Sequence, residues 1–254
     1  MLAVERRNLI IEKLHQEKRV VVSDLSRLFS VSEETIRRDL DKMEQDGLLI
    51  KSYGGAILNE STSIDLPFNV RKNRNVAGKQ IIADLVSGLI SEGERIMLDA
   101  STTSVFIAKA LKQKEQLTVI TNSIENLIEL SDKNTWNIIS VGGTLKGDYL
   151  AMVGPKAEEG LRDYRADKAL ISCKALQPEL GCFDSSDEFS CVKRAMIRAS
   201  KEVILAVDHS KFEQESFSKI CELREVSMIV TDRKPSEQWL TRFEKAGVNC
   251  IYPR

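Results

Sequence analysis

Residues 32–40 place two guanidinium groups, Arg37 and Arg38, beside Ser32, Glu34 and Thr35 on one short polar segment. Arginine's planar fork fits phosphate oxygens and the O6/N7 edge of guanine, so the chemistry expected here is nucleic-acid recognition. A second group suits anions. Asp99, Ser101, Thr102, Thr103 and Ser104 leave an apolar run and open a helical pattern, where hydroxyls and free backbone N–H groups converge into a phosphate-sized site. Thr121-Asn122-Ser123 repeats that arrangement, and Gly142-Gly143 allows a ligand close to the backbone. Asp184 and Lys193 bracket the start of a long helical stretch, and Asp208-His209-Ser210-Lys211 follows another apolar run. Acid–base work would fall to Asp99, Asp184, Asp208 or His209, since the only other histidine is His15.

The arginine pair needs a helix to aim it. Ser32 is a good N-cap, Glu33 and Glu34 suit the positive end of the helix dipole, and Ile36, Leu40 and Met43 recur at core spacing. That periodicity turns Glu34, Arg38, Asp41 and Gln45 outward, with Thr35, Arg37 and Lys42 on the flanks. Upstream, Arg6 to Gln16 reads as an amphipathic helix. Ser23 is expected to cap a short second helix carrying Leu25, Leu28 and Phe29, with Ser30-Val31 as the turn. Downstream of Gly47, two apolar stretches flank Ser52-Tyr53-Gly54-Gly55, the pattern of a hairpin. The expectation is a winged helix-turn-helix over residues 1–58 that uses Ser32, Glu34, Thr35, Arg37, Arg38, Lys42, Lys51, Tyr53 and Gly54 on double-stranded DNA.

Residues 59–75 are polar, contain Pro67 and show weak periodicity, as expected of a linker. Residues 76–254 then alternate strand-length apolar runs with helical segments. Strands are expected at 95–99, 118–121, 137–141, 168–173, 202–207, 227–230 and 248–252, and helices at 80–90, 105–111, 124–130, 188–200 and 237–246. Alternation of this kind implies an open, mostly parallel α/β sheet, whose ligands bind beyond the carboxyl ends of the strands. The polar groups named above gather at those ends.

The chain has 254 residues, 42% hydrophobic and 30% charged, which is globular composition for more than one domain. A net charge of −1 excludes a broadly basic coat, so any DNA contact is a local patch. No apolar run matches a membrane span and no signal-peptide pattern is visible, from which a cytoplasmic location is expected. The five cysteines show no C-x-x-C pair, so neither a disulfide framework nor a structural zinc is expected, and no cofactor is called for.

The string Val31-Ser32, Thr35-Ile36-Arg37-Arg38-Asp39-Leu40, Gly47-Leu48 and Gly54-Gly55-Ala56 resembles the DeoR family of bacterial transcriptional regulators. The resemblance continues through Leu98-Asp99, Thr102-Thr103, Thr121-Asn122, Val141-Gly142-Gly143, Gly154, Ala166 to Ala169, Val192-Lys193-Arg194, Asp208, Ser210-Lys211 and Thr231-Asp232, covering essentially the whole chain. Three positions depart from the family pattern: Lys51 stands where arginine is usual, Tyr53 where histidine is usual, and Ser101 where the phosphate loop usually has glycine. The stretch Ile171 to Lys174 also differs from the commoner small-residue version.

The resemblance implies a sensor domain similar to sugar-phosphate isomerases. It implies a phosphorylated-sugar effector held by Asp99, Ser101, Thr102, Thr103, Asn122, Gly142, Gly143, Asp184, Lys193, Asp208 and Lys211. The expected protein is a repressor of carbohydrate-metabolism genes, a homodimer or homotetramer rather than an enzyme. The competing reading is a sugar-phosphate isomerase or deaminase carrying a DNA-binding domain; it needs a positioned base, and His209 shows no partner in the sequence. Redox sensing by Cys173, Cys182 or Cys191 is a weaker third.

Overall fold

The computed structural model describes residues 2–45, 48–58 and 66–253. They form two compact units, residues 1–74 and 75–254.

The first unit opens with α1 (Ala3–Glu17), β1 (Arg19–Val21), α2 (Val22–Phe29) and α3 (Glu33–Gln45). The hairpin β2 (Leu49–Ser52) and β3 (Gly55–Leu58) follows. Its strands pair antiparallel with Ser52 opposite Gly55, and β1 adds to β3, giving the sheet order β1-β3-β2. The expected winged helix-turn-helix is present, with a third strand in its wing sheet. Ile10, Leu14, Val20, Leu25, Ile36, Leu40, Met43, Leu49 and Ala56 make one core. Two expectations change. Helix α2 starts at Val22 with Val21 as N-cap and no side-chain cap bond, so Ser23 lies in the first turn instead of capping it. Of the expected linker, residues 59–65 lie outside the described residues, as does Gly47. Residues 68–73 form the helix α4 (Phe68–Asn73), and Leu66 and Val70 join the first unit's core. The apolar residues at 66, 68 and 70 were too few to show helical periodicity.

The second unit is built on a seven-stranded sheet of order β15-β14-β12-β9-β4-β5-β6, in which every pairing is parallel. Helix α5 (Val76–Ser87) leads into β4 (Arg95–Leu98), α6 (Thr102–Leu111), β5 (Thr118–Thr121), α7 (Ile124–Leu130) and β6 (Asn137–Ser140). A hairpin of β7 (Thr144–Lys146) and β8 (Ala151–Val153) and helix α8 (Pro155–Arg162) precede β9 (Ala166–Ile171). After β9 come β10 (Ala175–Gln177), β11 (Gly181–Asp184), α9 (Asp187–Arg198) and β12 (Ser200–Ala206). The chain ends with β13 (Ser218–Cys221), β14 (Met228–Val230), α10 (Glu237–Ala246) and β15 (Asn249–Ile251).

The strands are apolar on both faces, as burial under helices demands. One face carries Met97, Ala169, Ile171, Val203, Leu205 and Ile229 and the other Ile96, Leu98, Leu170, Ile204 and Val230. A second, antiparallel sheet of order β10-β11-β13 lies outside the expected pattern, its strands being only three or four residues long. No helix among the described residues is long and apolar enough to cross a membrane.

Candidate DNA-reading surface and anion site

In α3 the apolar side chains Ile36, Leu40 and Met43 are buried, while Ser32, Glu34, Arg37, Arg38 and Lys42 are exposed. The Ser32 hydroxyl accepts the Thr35 N–H at 3.2 Å and lies 2.9 Å from the Thr35 hydroxyl, so Ser32 does cap the helix. Arg37 pairs with Glu33 at 2.7 Å and Arg38 with Glu34 at 3.4 Å, one turn back in each case. Exposed pairs of this kind contribute only about 0.3–0.5 kcal/mol, so they hold the guanidiniums ready without trapping them. Arg38 is the more available, its side chain being 79% exposed.

The wing is fastened to the same helix. Lys51 donates its backbone N–H to Glu44 at 2.8 Å and its ammonium pairs with Asp41, which holds that ammonium above the ordinary lysine range. Tyr53 is fully exposed at the tip next to Gly54, whose φ of +77° needs a glycine. Gly55 is required for a different reason: a Cβ there would lie 2.0 Å from the Val20 carbonyl oxygen on β1.

A residue to which the sequence reading gave no role of its own orients α3. Asp39 points inward and meets Arg6 Nε at 2.6 Å, both side chains being under 10% exposed, with Arg7 at 4.0 Å. The pair ties α3 to α1. Its sequence signal was an Asp at a position the apolar period placed beside the core.

In the second unit the polar residues gather at the carboxyl ends of β4, β9 and β12. Asp99 is 1% exposed and its carboxylate is fully engaged. One oxygen accepts the Ser101 N–H at 3.0 Å; the other accepts the Ser172 N–H at 2.8 Å and faces the Lys193 ammonium at 3.3 Å. Lys193 also donates to Asp184 at 2.5 Å and to the Ser172 carbonyl at 2.7 Å. Burial opposes charge on Asp184 and Lys193, but their mutual contact outweighs it, holding the carboxyl below and the ammonium above their ordinary ranges. Asp99, Asp184 and Lys193 therefore form the frame that locks the strand ends together. Asp208 does the same locally, accepting the N–H and hydroxyl of Ser210.

Within this frame the first turn of α6 keeps its donors. Ser101 sits at φ −80° and its hydroxyl caps the helix by accepting the Ser104 N–H at 3.1 Å. A glycine is not needed at that backbone conformation, which accounts for the serine. Helix geometry leaves the leading N–H groups without intrahelical partners, and Thr102 and Thr103 flank them with hydroxyls. Behind the loop, Asn126 donates to the Asp99 carbonyl at 3.0 Å and to the Thr121 hydroxyl at 3.3 Å, tying the ends of β4 and β5. Asn122 is buried and donates to the Met152 carbonyl at 2.9 Å, leaving its own side-chain oxygen without a donor.

Lys174, just past β9, completes the cationic side. The surrounding protein and the nearby Lys211 and Lys193 push its ammonium down to about 7, against the opposing pull of Asp184. The glycine pair behaves otherwise than expected. A Cβ on Gly143 would lie 2.7 Å from the Val153 carbonyl and 3.0 Å from Ala157, so the close approach there is made by the protein's own chain; Gly142 has open space. His209 has a partner after all: its Nδ1 lies 2.7 Å from Asp232. Their separation in the chain hid the pair. Among the described residues no group of three or more His, Cys, Asp or Glu side chains could hold a metal. Contacts to Cys173 and Cys221 and burial raise the Cys182 thiol well above its ordinary range, the opposite of what a reactive sensor thiol requires.

A winged helix-turn-helix joined to a parallel α/β sheet with polar residues gathered at its strand ends is the architecture of a two-part regulator, one part for DNA and the other for a small ligand. Residues 6–62 match the DeoR-like helix-turn-helix domain and residues 74–233 the DeoR C-terminal sensor domain, and the chain belongs to the DeoR family of transcriptional regulators. It is 41% identical to the uncharacterized HTH-type transcriptional regulator YulB of Bacillus subtilis, over 91% of this chain and 90% of that protein. It is 36% identical to the HTH-type transcriptional repressor GlcR of the same organism, over 99% and 96%. The glycerol-3-phosphate regulon repressor of Escherichia coli is 30% identical over 92% and 93%. Ribose 5-phosphate isomerase A of Methanocaldococcus jannaschii shows a distant likeness of fold, with a TM-score of 0.41 and 14% identity over 54% of this chain and 55% of that one.

Proposed function

We propose that this protein is a cytoplasmic repressor of carbohydrate-metabolism genes whose affinity for its operator is lowered by a phosphorylated sugar. One observation carries the reading: the first turn of α6 begins beside Asp99, whose partner Lys193 acts, together with Lys211, on Lys174, so N–H donors, hydroxyls and positive charge gather at the same strand ends. A phosphate dianion needs all three. Ser101, Thr102 and Thr103 would bind the phosphate with Lys211 and Lys174. Asn122, with its unsatisfied oxygen, would take a sugar hydroxyl, and Gly142 lies on open space beside it. Asp99, Asp184, Lys193 and Asp208 hold this loop set in place.

On the DNA side, Arg37, Arg38, Thr35, Lys42 and Ser32 would face the major groove, with Glu34 steering Arg38. Lys51, Tyr53 and Gly54 would meet the backbone. Such domains read repeated half-sites as symmetric oligomers, so a homodimer or homotetramer is proposed. The relatives named as repressors support the sign of regulation. They also weigh against turnover of the sugar phosphate, and the best-placed carboxylates, Asp99 and Asp184, are already taken up by Lys193 and backbone N–H groups.

A thermal-shift panel tests the reading. Sugar phosphates that bind the native state raise its apparent stability, and the matching unphosphorylated sugars do not. Equal shifts from a sugar and its phosphate ester, or none from any ester, would remove the phosphate site.

A further inference from the structure

One carboxylate touches both the effector loop and the start of the sensor domain. Asp232, just past β14, is 9% exposed. One of its oxygens accepts the His209 backbone N–H at 2.7 Å; the other lies 2.7 Å from His209 Nδ1 and accepts the Asn75 side-chain amide at 3.2 Å. His209 belongs to the same short turn as Lys211, spanning His209–Lys211. Asn75 is the first residue of the second unit, bonded directly to Arg74, the last of the first.

The arrangement is tight and strained. Asn75 caps α5 in the left-handed region, at φ 46° and ψ 47°. Such a conformation persists in a non-glycine residue only where local contacts favour it, and here the Asn75 side-chain amide is held by Asp232. Gly78 leaves the space: a Cβ there would sit 2.5 Å from the Asp232 carboxylate and 2.4 Å from the Asn75 amide. Burial works against charge on Asp232, but the His209 and Asn75 contacts hold its carboxyl below the ordinary range, so it stays an acceptor for both. The Lys79 N–H bonds the Asn75 carbonyl at 3.0 Å, so the first turn of α5 registers any change at Asn75.

We infer that Asp232 is a positioning residue that transmits effector binding at the Asp208–Lys211 loop to Asn75, where the DNA-binding unit joins the sensor. The inference rests on the phosphate-sensing reading above. When a phosphate draws Lys211 toward α6, the turn carrying His209 moves with it, and Asp232 must either follow or release Asn75. Both outcomes alter the backbone at the junction, and with it the placement of α3 on its half-site.

The test is hydrogen exchange on the full-length chain, with and without inorganic phosphate at constant ionic strength in chloride. In the wild type, phosphate should slow exchange at residues 101–103 and change it at residues 76–79. In Asp232→Asn the first effect should remain and the second should fall by about tenfold, within the usual span of coupling between sites. Asn75→Gly keeps the left-handed backbone without strain but drops the side-chain contact, and it should behave like Asp232→Asn while folding normally. A wild-type response at 101–103 with none at 76–79, or an undiminished response at 76–79 in both variants, overturns the relay and leaves the phosphate site standing. No response at 101–103 in the wild type defeats the sensing reading, and the relay falls with it.

Discussion

Arg38 shows how a single side chain can be both displayed and restrained. Its one-turn pair with Glu34 is weak enough for a phosphate or a guanine edge to displace. Arg38→Ala should keep the fold and weaken operator binding by about 1–3 kcal/mol if it reads a base; if it meets phosphate, the salt slope should drop by about one unit on every sequence. A salt titration on cognate and random DNA separates the two. Lys211→Ala should lower effector affinity by about 1.5–3 kcal/mol, the range for a bond to a charged group, with effector-free operator binding unchanged in the same titration. Lys174 adds a pH dependence. With its ammonium pushed down to about 7, a bound dianion draws a proton onto it. Affinity should therefore fall as pH rises between about 7.5 and 9, where the ester is already a dianion, by at most about tenfold per unit. Lys174→Arg, always charged, should flatten that slope in calorimetric titrations. In the free protein the sign is reversed. The folded state holds fewer protons on Lys174 than the unfolded chain between about 7 and 10.4, so this residue adds stability as pH rises through that window.

Among the elements, α3 depends on a contact its outward face does not reveal. Arg6 and Asp39 are buried together between α1 and α3, and removing one charge leaves the other without compensation. Asp39→Ala should cost about 3–5 kcal/mol in denaturant unfolding, against less than about 1 kcal/mol for Glu34→Ala on the exposed face. Gly143→Ala should destabilise the sensor domain the more, because the new methyl meets the Val153 carbonyl and Ala157, whereas Gly142→Ala meets no neighbour and bears only the strain of a φ of +65°. Which elements were legible in the sequence follows from period and length. Strands β4, β5, β9, β12 and β14 showed as apolar runs because both faces are buried, the half-buried edge strands β6 and β15 showed through Ile138-Ile139 and Cys250-Ile251, and α7 and α10 matched their expected limits of 124–130 and 237–246. The short strands β7, β8, β10, β11 and β13 hydrogen-bond in small sheets and lack enough residues for alternation to show. At the site, hydroxyls before a helix and charges after strands were visible from composition alone. Pairs made by the fold were not: Lys193 with Asp99, His209 with Asp232 and Lys174 with Lys211 are joined only when the strand ends align.

For the whole molecule, the order of the strands has a consequence in time. The winged helix has all of its helices and strands by residue 74. The sheet is different: β9 lies at its centre, pairs with β4 and β12, and ends at residue 171, while the turn bearing Lys211 and the carboxylate of Asp232 come later still. At ribosomal speeds of about 5–20 residues per second, roughly 10 to 40 s separate the two units. During that interval the half that reads DNA is complete and the half that responds to metabolite is not. A chain stopped between residues 74 and 208 would carry α3 and the wing without Lys211 or Asp232, so premature termination in that stretch would yield a fragment that keeps the DNA-reading face and lacks the effector loop. In a cell holding both forms, such fragments would act as dominant, non-inducible competitors of the full-length protein.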